Sequence, residues 1–387
     1  MMSCGIYIHI PFCVRKCNYC AFLSAPADDD TKEQYVQALI REIEHKSEGV
    51  AVYGTVYFGG GTPSVLSFDQ IERIMKALRK SYRIAQDAEI TLEANPGTLG
   101  DSDEDVRDTL RRYKGIGINR LSMGVQSLND EVLRFIGRIH TAEDVRRDYR
   151  IAREVGFDNI NLDLIFSLPT ENSHELAIDS LNELIEMRPE HISCYSLQIE
   201  EGTLFGKLYD EGKLREISDE DDRSTYHKVC SILKDAGYEH YEISNFALPG
   251  YRSRHNSGYW NMSDYLAFGL GASGFVNGVR YRNTESLEEY IANAPCYEEV
   301  HENSVHDNIS EAVFTGLRRI EGIRYEDAAR YLPGSRDPGT DFWNYYQDAR
   351  AEAECFVKSG HLIIDDEGLR LTETGIDISN AIMLLFV

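Results

Sequence analysis

Three cysteines, Cys13, Cys17 and Cys20, stand in the run Tyr-Ile-His-Ile-Pro-Phe-Cys-Val-Arg-Lys-Cys-Asn-Tyr-Cys that begins at Tyr7. Their spacing is Cys-x3-Cys-x2-Cys, and no fourth cysteine follows closely, because position 22 is Phe22. Thiolates hold iron–sulfur clusters, and a [4Fe–4S] cluster ordinarily takes four of them. Three would leave one iron open to a substrate or cofactor, which a pure electron carrier does not need. Two other readings compete. A zinc ion takes four ligands, and His9 could complete a set with the three sulfurs. The alternation Ile6-Tyr7-Ile8-His9-Ile10, however, puts that histidine on a strand. A structural disulfide would leave one thiol of the three unpaired, and the N-terminus has no secretory signal pattern. Cys4, Cys194, Cys230, Cys296 and Cys355 are scattered and read as small apolar packing residues.

Other residue groups could also carry chemistry. Gly59-Gly60-Gly61-Thr62-Pro63 lets backbone approach a ligand, since glycine has no Cβ; a tight turn is the plainer account. Glu93, Gln126 and Asp163 each end or follow an apolar run, where a polar residue serves either a ligand or merely a strand end. In His255-Asn256-Ser257-Gly258-Tyr259-Trp260, a histidine lies beside aromatic side chains. Such a set could ligate a heme iron or stack on a porphyrin, or it could be a loop packed on Tyr259 and Trp260. His301 and His306 lack such company and read as surface residues. Gly269, Gly271 and Gly274 spell a dinucleotide fingerprint, which requires a strand, a turn and then a helix. Residues 275–281 read as strand and turn, so the fingerprint is rejected.

The elements that must position these residues are legible as alternating patterns. Apolar runs at 6–10, 55–58, 89–93, 120–125, 159–165 and 191–197 are candidate strands, separated by stretches with helical spacing. Tyr35, Val36, Leu39, Ile40 and Ile43 mark one helix face. Ser67 to Gln70 reads as a capping box opening a helix through Lys80, with Leu66 and Ile71 placed as a hydrophobic staple. Thr141 to Asp144 is a second capping signal. Asp28-Asp29-Asp30 reads as a solvated loop. Repeated βα units imply a parallel sheet, and ligands in such folds bind at the carboxyl ends of the strands. Cys13, Gly59 to Gly61, Glu93, Gln126 and Asp163 all fall there.

After about residue 205 the pattern changes. Residues 211–222 are acidic and read as surface, and 225–236 reads as a helix stopped by Gly237. An aromatic, glycine-rich stretch at 238–283 precedes a mostly helical tail. Within the tail, 361–364 and 369–372 flank an Asp-Asp-Glu-Gly turn, a hairpin resembling a winged-helix element. The chain of 387 residues has room for two domains, and its 42% hydrophobic content is ordinary for a globular protein. No run approaches the ~18 apolar residues of a membrane span. With a formal net charge of −25, nucleic acid is not an expected partner, because phosphate backbones are bound by clustered Lys and Arg.

The Cys-x3-Cys-x2-Cys motif after an apolar strand resembles the signature of the radical S-adenosylmethionine (SAM) superfamily. The surrounding Tyr-Ile-His-Ile-Pro-Phe-Cys is similar to that of its oxygen-independent coproporphyrinogen III oxidase group, which includes the heme-chaperone branch HemW. The likeness extends over nearly the whole chain. It implies an α/β fold, a partial (β/α)6 TIM-like barrel over residues 1–236, followed by a smaller, mostly helical C-terminal domain over 237–387. It also implies a [4Fe–4S] cluster on Cys13, Cys17 and Cys20. SAM would sit on the open iron and be cleaved by an electron from the cluster to a 5′-deoxyadenosyl radical, with the cofactors carrying the chemistry. Carried over by position, Gly60, Gly61 and Thr62 meet the methionine amino group. Arg138 forks to the carboxylate, Gln126 and Asp163 hold ribose hydroxyls, and Glu93 balances positive charge. Tyr7 and Tyr19 offer ring surfaces beside cluster and adenine.

Two branches of that group are separated at the edges of this pattern. The oxidases carry a fourth cysteine two residues after the third and an extension ahead of the first strand. Here Phe22 fills that position, and the first strand starts near residue 6. His-Asn-x-x-Tyr-Trp is similar to the chaperone signature, which puts His255, Tyr259 and Trp260 at heme. One departure stands out: many chaperones of this branch have Gly-Ala-His where this chain has Gly271-Ala272-Ser273. The resemblance therefore implies a cytoplasmic protein that binds heme and supports its transfer to an acceptor protein. Its electron donor would be of the flavodoxin or ferredoxin class. The alternatives are coproporphyrinogen decarboxylation, SAM binding without radical chemistry, and heme degradation by a related methyl-transfer route.

Overall fold

The six apolar runs become six consecutive parallel strands in a computed structural model that describes residues 4–46 and 51–387. They are β1 (Cys4–Ile10), β2 (Val52–Gly60), β3 (Arg83–Ala94), β4 (Arg120–Gln126), β5 (Ile160–Phe166) and β6 (His191–Ser196). They pair in chain order, each parallel to the next. The connections are helical: α1 (Asp29–His45), α2 (Phe68–Ser81), α3 (Asp103–Gly115), α4 (Asp130–Phe135), α5 (Ala142–Val155) and α6 (Ser173–Met187). Local chemistry explains several boundaries. Ser67 and Gln70 form both arms of a capping box on α2, as Thr141 and Asp144 do on α5. Each such cap is worth about 1 kcal/mol. Contrary to expectation, the Asp28 to Asp30 run is not a loop. Asp28 caps α1 by accepting from Thr31 N at 2.8 Å, and Asp29 and Asp30 fill the first turn, where the helix dipole favours carboxylates.

The pleat sorts side chains into two environments. Ile6, Ile8, Ile10, Val56, Phe58, Leu92, Leu121, Met123, Ile160, Leu162 and Leu164 are fully buried in the main core. The apolar faces of α1 and α2 (Tyr35, Leu39 and Ile43; Ile71, Ile74 and Leu78) belong to the same cluster. Each such side chain contributes about 1.5–3 kcal/mol of burial. Alternate positions carry polar groups and face the other way: Tyr57, Glu93, Ser122, Gln126, Asn161, Asp163, Ser193 and Tyr195 all line one cavity. A closed TIM barrel fills its interior with bulky branched residues. This sheet is polar inside, so its interior is a site rather than a core.

The sheet does not stop at β6. After α7 (Leu204–Asp210) and α8 (Asp219–Asp235), β7 (Glu239–Glu242) and β8 (Asn245–Ala247) extend the β6 edge antiparallel. Helix α9 (Arg254–Trp260) follows, and β9 (Tyr265–Phe268) then joins the other edge parallel to β1. Beyond β9 come β10 (Ser273–Val276), β11 (Val279–Asn283) and β12 (Tyr297–Glu302), giving twelve strands in one sheet. The division expected after residue 236 therefore runs through this sheet rather than beside it. Helix α8 also starts before residue 225, because Ser218 caps it through Asp221 N. Gly237, at φ 89°, donates to Lys234 O just past its end, where a stop signal was expected. Gly269 to Gly271 link strand to strand, not strand to helix, which confirms that the glycine fingerprint is a coincidence of spelling. In the tail, β13 (Ile323–Arg324), β14 (Leu362–Ile364) and β15 (Gly368–Leu371) form a separate small sheet. Its β14–β15 hairpin lies between helices Gln347–Lys358 and Glu373–Ile376, as the sequence implies.

Candidate cofactor site

A cavity of about 830 Å3 opens at the carboxyl ends of β1 to β6 and runs down into the polar interior. Cys13, Cys17 and Cys20 line it on the loop after β1. Asn18 anchors that loop: its amide donates to Ile136 O at 3.0 Å, its side chain to Phe135 O at 2.7 Å, and its carbonyl accepts from Phe205 N. Two of the sulfurs receive donors, Thr62 Oγ1 to Cys13 Sγ at 3.5 Å and Arg138 Nη1 to Cys17 Sγ at 3.7 Å. Such donors suit thiolate ligands, whose charge they offset. Among the described residues, no three His, Cys, Asp or Glu side chains are arranged to hold a single metal ion. Both nitrogens of His9 are engaged, with Tyr7 Oη and with Leu23 O, each at 3.1 Å. A zinc site therefore lacks both a common centre and its fourth ligand. Three sulfurs spread along one loop at a cavity wall fit the larger body of a cluster.

The strand-end residues meet on the same cavity. Glu93 accepts from Tyr57 Oη at 2.7 Å, and burial, with Asp163 nearby, pushes its carboxyl up to about 7. Asp163 is raised too, by burial, although Asn161 Nδ2 donates to it at 2.7 Å. Arg138 Nη2 donates to Asn95 Oδ1 at 2.6 Å, and Asn95 Nδ2 donates to Thr62 Oγ1 at 2.7 Å. Gln126 ends β4 at φ 68°, a left-handed conformation that is costly for a side-chain-bearing residue. Tyr195 Oη donates to its Oε1 at 3.0 Å. The glycine turn serves close approach to β1 as much as to any ligand. A Cβ on Gly60, itself at φ 110°, would lie 2.5 Å from the His9 ring, and one on Gly61 would lie 2.6 Å from Phe12 O. The amides of Gly61 and Thr62 donate to Ile10 O and Phe12 O, so they are not free for a ligand.

The cavity thus gathers Cys13, Cys17, Tyr19, Cys20, Gly60, Gly61, Thr62, Glu93, Gln126, Arg138 and Asp163, and leaves Tyr7 outside its lining. Tyr7 packs in a three-ring cluster with Tyr57 and His255, each pair of ring centroids within 6.5 Å. His255 is 3% exposed and is bonded at both ring nitrogens, Nδ1 with Thr55 Oγ1 at 2.8 Å and Nε2 with Tyr259 Oη at 2.7 Å. Burial, with Arg120 nearby, pulls its pKa down to about 3, so the ring is neutral. Glu89 accepts from the amides of Arg254 and His255 and pins α9 beneath the strands. The expected iron-ligating role for His255 is not met by this arrangement, because neither nitrogen is presented to a ligand. Tyr259 and Trp260 line a second cavity of about 250 Å3, smaller than the ~300 Å3 at which small-molecule sites begin. His301 and His306 are exposed, whereas Cys355 is exposed rather than packed.

Sequence reasoning missed Asn95, Tyr195, Arg120 and Asn256, all on the main cavity. Asn95 carries a usable signal, since it lies two residues beyond Glu93 at the same strand end. The other three become site residues only once the sheet curves round them.

Comparison with known proteins places this architecture in a class. The radical SAM superfamily pattern matches residues 7–179, and that of the HemN C-terminal domain matches residues 303–378. The structure of coproporphyrinogen III oxidase (HemN) from Escherichia coli, a radical SAM enzyme, superposes with a TM-score of 0.84. It covers 100% of this chain and 90% of its own at 24% identity, a likeness of fold. The heme chaperone HemW of Lactococcus lactis subsp. lactis is 33% identical over 383 residues, 98% of this chain and 96% of that protein. HemW of Escherichia coli is 39% identical over 293 residues, 73% of each chain. The chain belongs to the HemW family of the radical SAM superfamily.

Proposed function

We propose that this protein is a heme chaperone that binds SAM on a [4Fe–4S] cluster, takes heme into the main cavity and passes it to an acceptor protein. The observation that carries the reading is likeness to a heme chaperone over 98% of the chain. It is supported by Phe22, which stands where the resembled oxidases have a fourth cysteine. Cys13, Cys17 and Cys20 hold the cluster, which when bound supplies an electron to SAM. Arg138, fixed by Asn95, takes the methionine carboxylate. Gln126 and Asp163 take the ribose, Tyr19 lies against the adenine, and ionised Glu93 faces the cationic end. Tyr7 stiffens the barrel interior instead of touching SAM. His255, Tyr259 and Trp260 act as a plug beneath the strands, and heme occupies the larger cavity. A flavodoxin- or ferredoxin-class donor supplies electrons. All eight cysteines are unpaired, which suits a reducing compartment such as the cytoplasm, and among the described residues no helix is long and apolar enough to cross a membrane.

The test is incubation of iron- and sulfide-reconstituted protein with coproporphyrinogen III, SAM and a reductant, beside a parallel titration with heme. A Soret band without protoporphyrinogen is the expected result. Rapid decarboxylation without heme uptake would replace the chaperone reading with an oxidase.

A further inference from the structure

Arg120 opens β4 and is 1% exposed, yet its guanidinium makes no hydrogen bond or ion pair with any described residue. It lines the main cavity. A buried charge without a partner is expensive, and proteins normally pair it or bond it fully. Two carboxylates lie within electrostatic reach, Glu93 and Asp163, but both accept from neutral donors instead, Tyr57 and Asn161. Also on the cavity wall is Asn256, whose side-chain amide makes no hydrogen bond among the described residues. Its neighbour His255 is close enough to Arg120 to be affected by it. In the His-Asn motif, therefore, the histidine is consumed by the scaffold and the asparagine is offered to the cavity.

We propose that Arg120 and Asn256 form a carboxylate-binding subsite at the inner end of the cavity, and that it seats a propionate of heme. The guanidinium supplies a two-pronged, charge-assisted donor pair of the kind that matches a carboxylate. Asn256 adds a neutral donor. The methionine carboxylate of SAM is the competing source of the same chemistry, but Arg138, not Arg120, is the arginine that bonds a cysteine sulfur, Cys17 Sγ at 3.7 Å. Arg120 opens the strand that Gln126 ends, six residues away and so at most roughly 20 Å at ~3.3 Å per residue, with Glu93, paired with Ser122, between the two ends. The methionine end belongs beside the cysteines, where Arg138 already waits. A cavity of about 830 Å3 lies near the upper end of the small-molecule range, so its inner part is available to another ligand. This subsite rests on the heme reading above and deepens it.

The experiment titrates the full chain, with SAM present, with heme and with heme dimethyl ester, whose propionates carry no charge. Wild type should bind the ester about 10–100-fold more weakly than heme, the range of one charge-assisted contact. Arg120→Met should lose the same factor for heme and little more for the ester, with SAM affinity unchanged. Arg120→Lys should fall between, and Asn256→Ala should cost about threefold to tenfold. Equal binding of heme and ester by wild type overturns the subsite, and needs no variant that could misfold. Weakened SAM binding with unchanged heme binding also overturns it, by assigning the guanidinium to methionine. If wild type binds neither porphyrin, the heme reading itself fails, an outcome distinct from heme binding that is indifferent to esterification.

Discussion

Two motifs announce chemistry in this chain, and the fold treats them in opposite ways. The cysteines of 13–20 sit on a loop whose backbone is tied down while its sulfurs face a cavity. The histidine of 255–260 is tied down by its side chain, with both nitrogens bonded and no face left open. Both regions hold titratable groups away from bulk water, yet only one leaves them with chemistry to perform. Burial of a reactive side chain is thus uninformative until its remaining bonding capacity is counted. By that count His255 is saturated and Arg120 is not.

The largest effect should come from the cysteine side of the comparison. Cys17→Ser removes one of the three proposed cluster ligands and the acceptor of Arg138 Nη1. Reconstitution should then yield close to no bound iron and sulfide, while thermal stability of the cluster-free protein changes by less than about 1 kcal/mol, as for a half-exposed side chain. Full iron content in the variant would remove Cys17 from the cluster. The opposite profile is expected for His255→Ala. Losing two buried hydrogen bonds and an aromatic packed on Tyr57 should destabilise the protein by about 2–4 kcal/mol in urea unfolding. The Soret band with heme should persist. Loss of the band at unchanged stability would restore His255 as an iron ligand.

Proton linkage separates the same two regions. Glu93 has a folded pKa of about 7 against an ordinary 4.5, so the folded state keeps a proton that the unfolded state releases between those values. Its contribution is therefore greatest below pH 4.5 and is lost as pH rises towards 7. His255 works in reverse: with a folded pKa of about 3 against 6.5, it costs stability as pH falls below 6.5. Glu93→Gln should remove the first dependence only. The stability of the variant relative to cluster-free wild type should grow by on the order of 2 kcal/mol between pH 5 and pH 8. A constant difference across that range would show that Glu93 titrates normally. SAM, whose sulfonium favours the ionised carboxylate, should bind wild type more tightly at pH 8 than at pH 6.

What could be read in the sequence follows from how local each signal is. The cysteine spacing, the capping boxes at Ser67 and Thr141, and the alternation of β1 to β6 all lie within a few residues of themselves. The role of His255 depends on Thr55, 200 positions away, and a histidine beside aromatics looks the same with or without that partner. Arg120 reads as an ordinary strand-opening charge until curvature turns it inward. The strands of 239–302 are short and add to edges of a sheet begun far upstream, so the change of pattern near 236 resembles a domain end that the sheet does not respect.

The smallest effect tests the edge of the cavity. Phe22 is 70% exposed and lines the mouth, and Lys16 Nζ donates to its carbonyl at 3.1 Å. Because the ring is so little buried, Phe22→Ala should alter folding stability by no more than about 0.5 kcal/mol. Lys16 bonds backbone, so that contact survives the substitution, and cluster content should hold. A flat aromatic at a cavity mouth is nevertheless a stacking surface for a macrocycle, worth about 0.5–1.5 kcal/mol. Heme affinity should therefore fall by about twofold to tenfold. A drop in iron content would instead make Phe22 a guard of the cluster, and unchanged heme affinity would confine porphyrin recognition to the inner end of the cavity, where Arg120 lies.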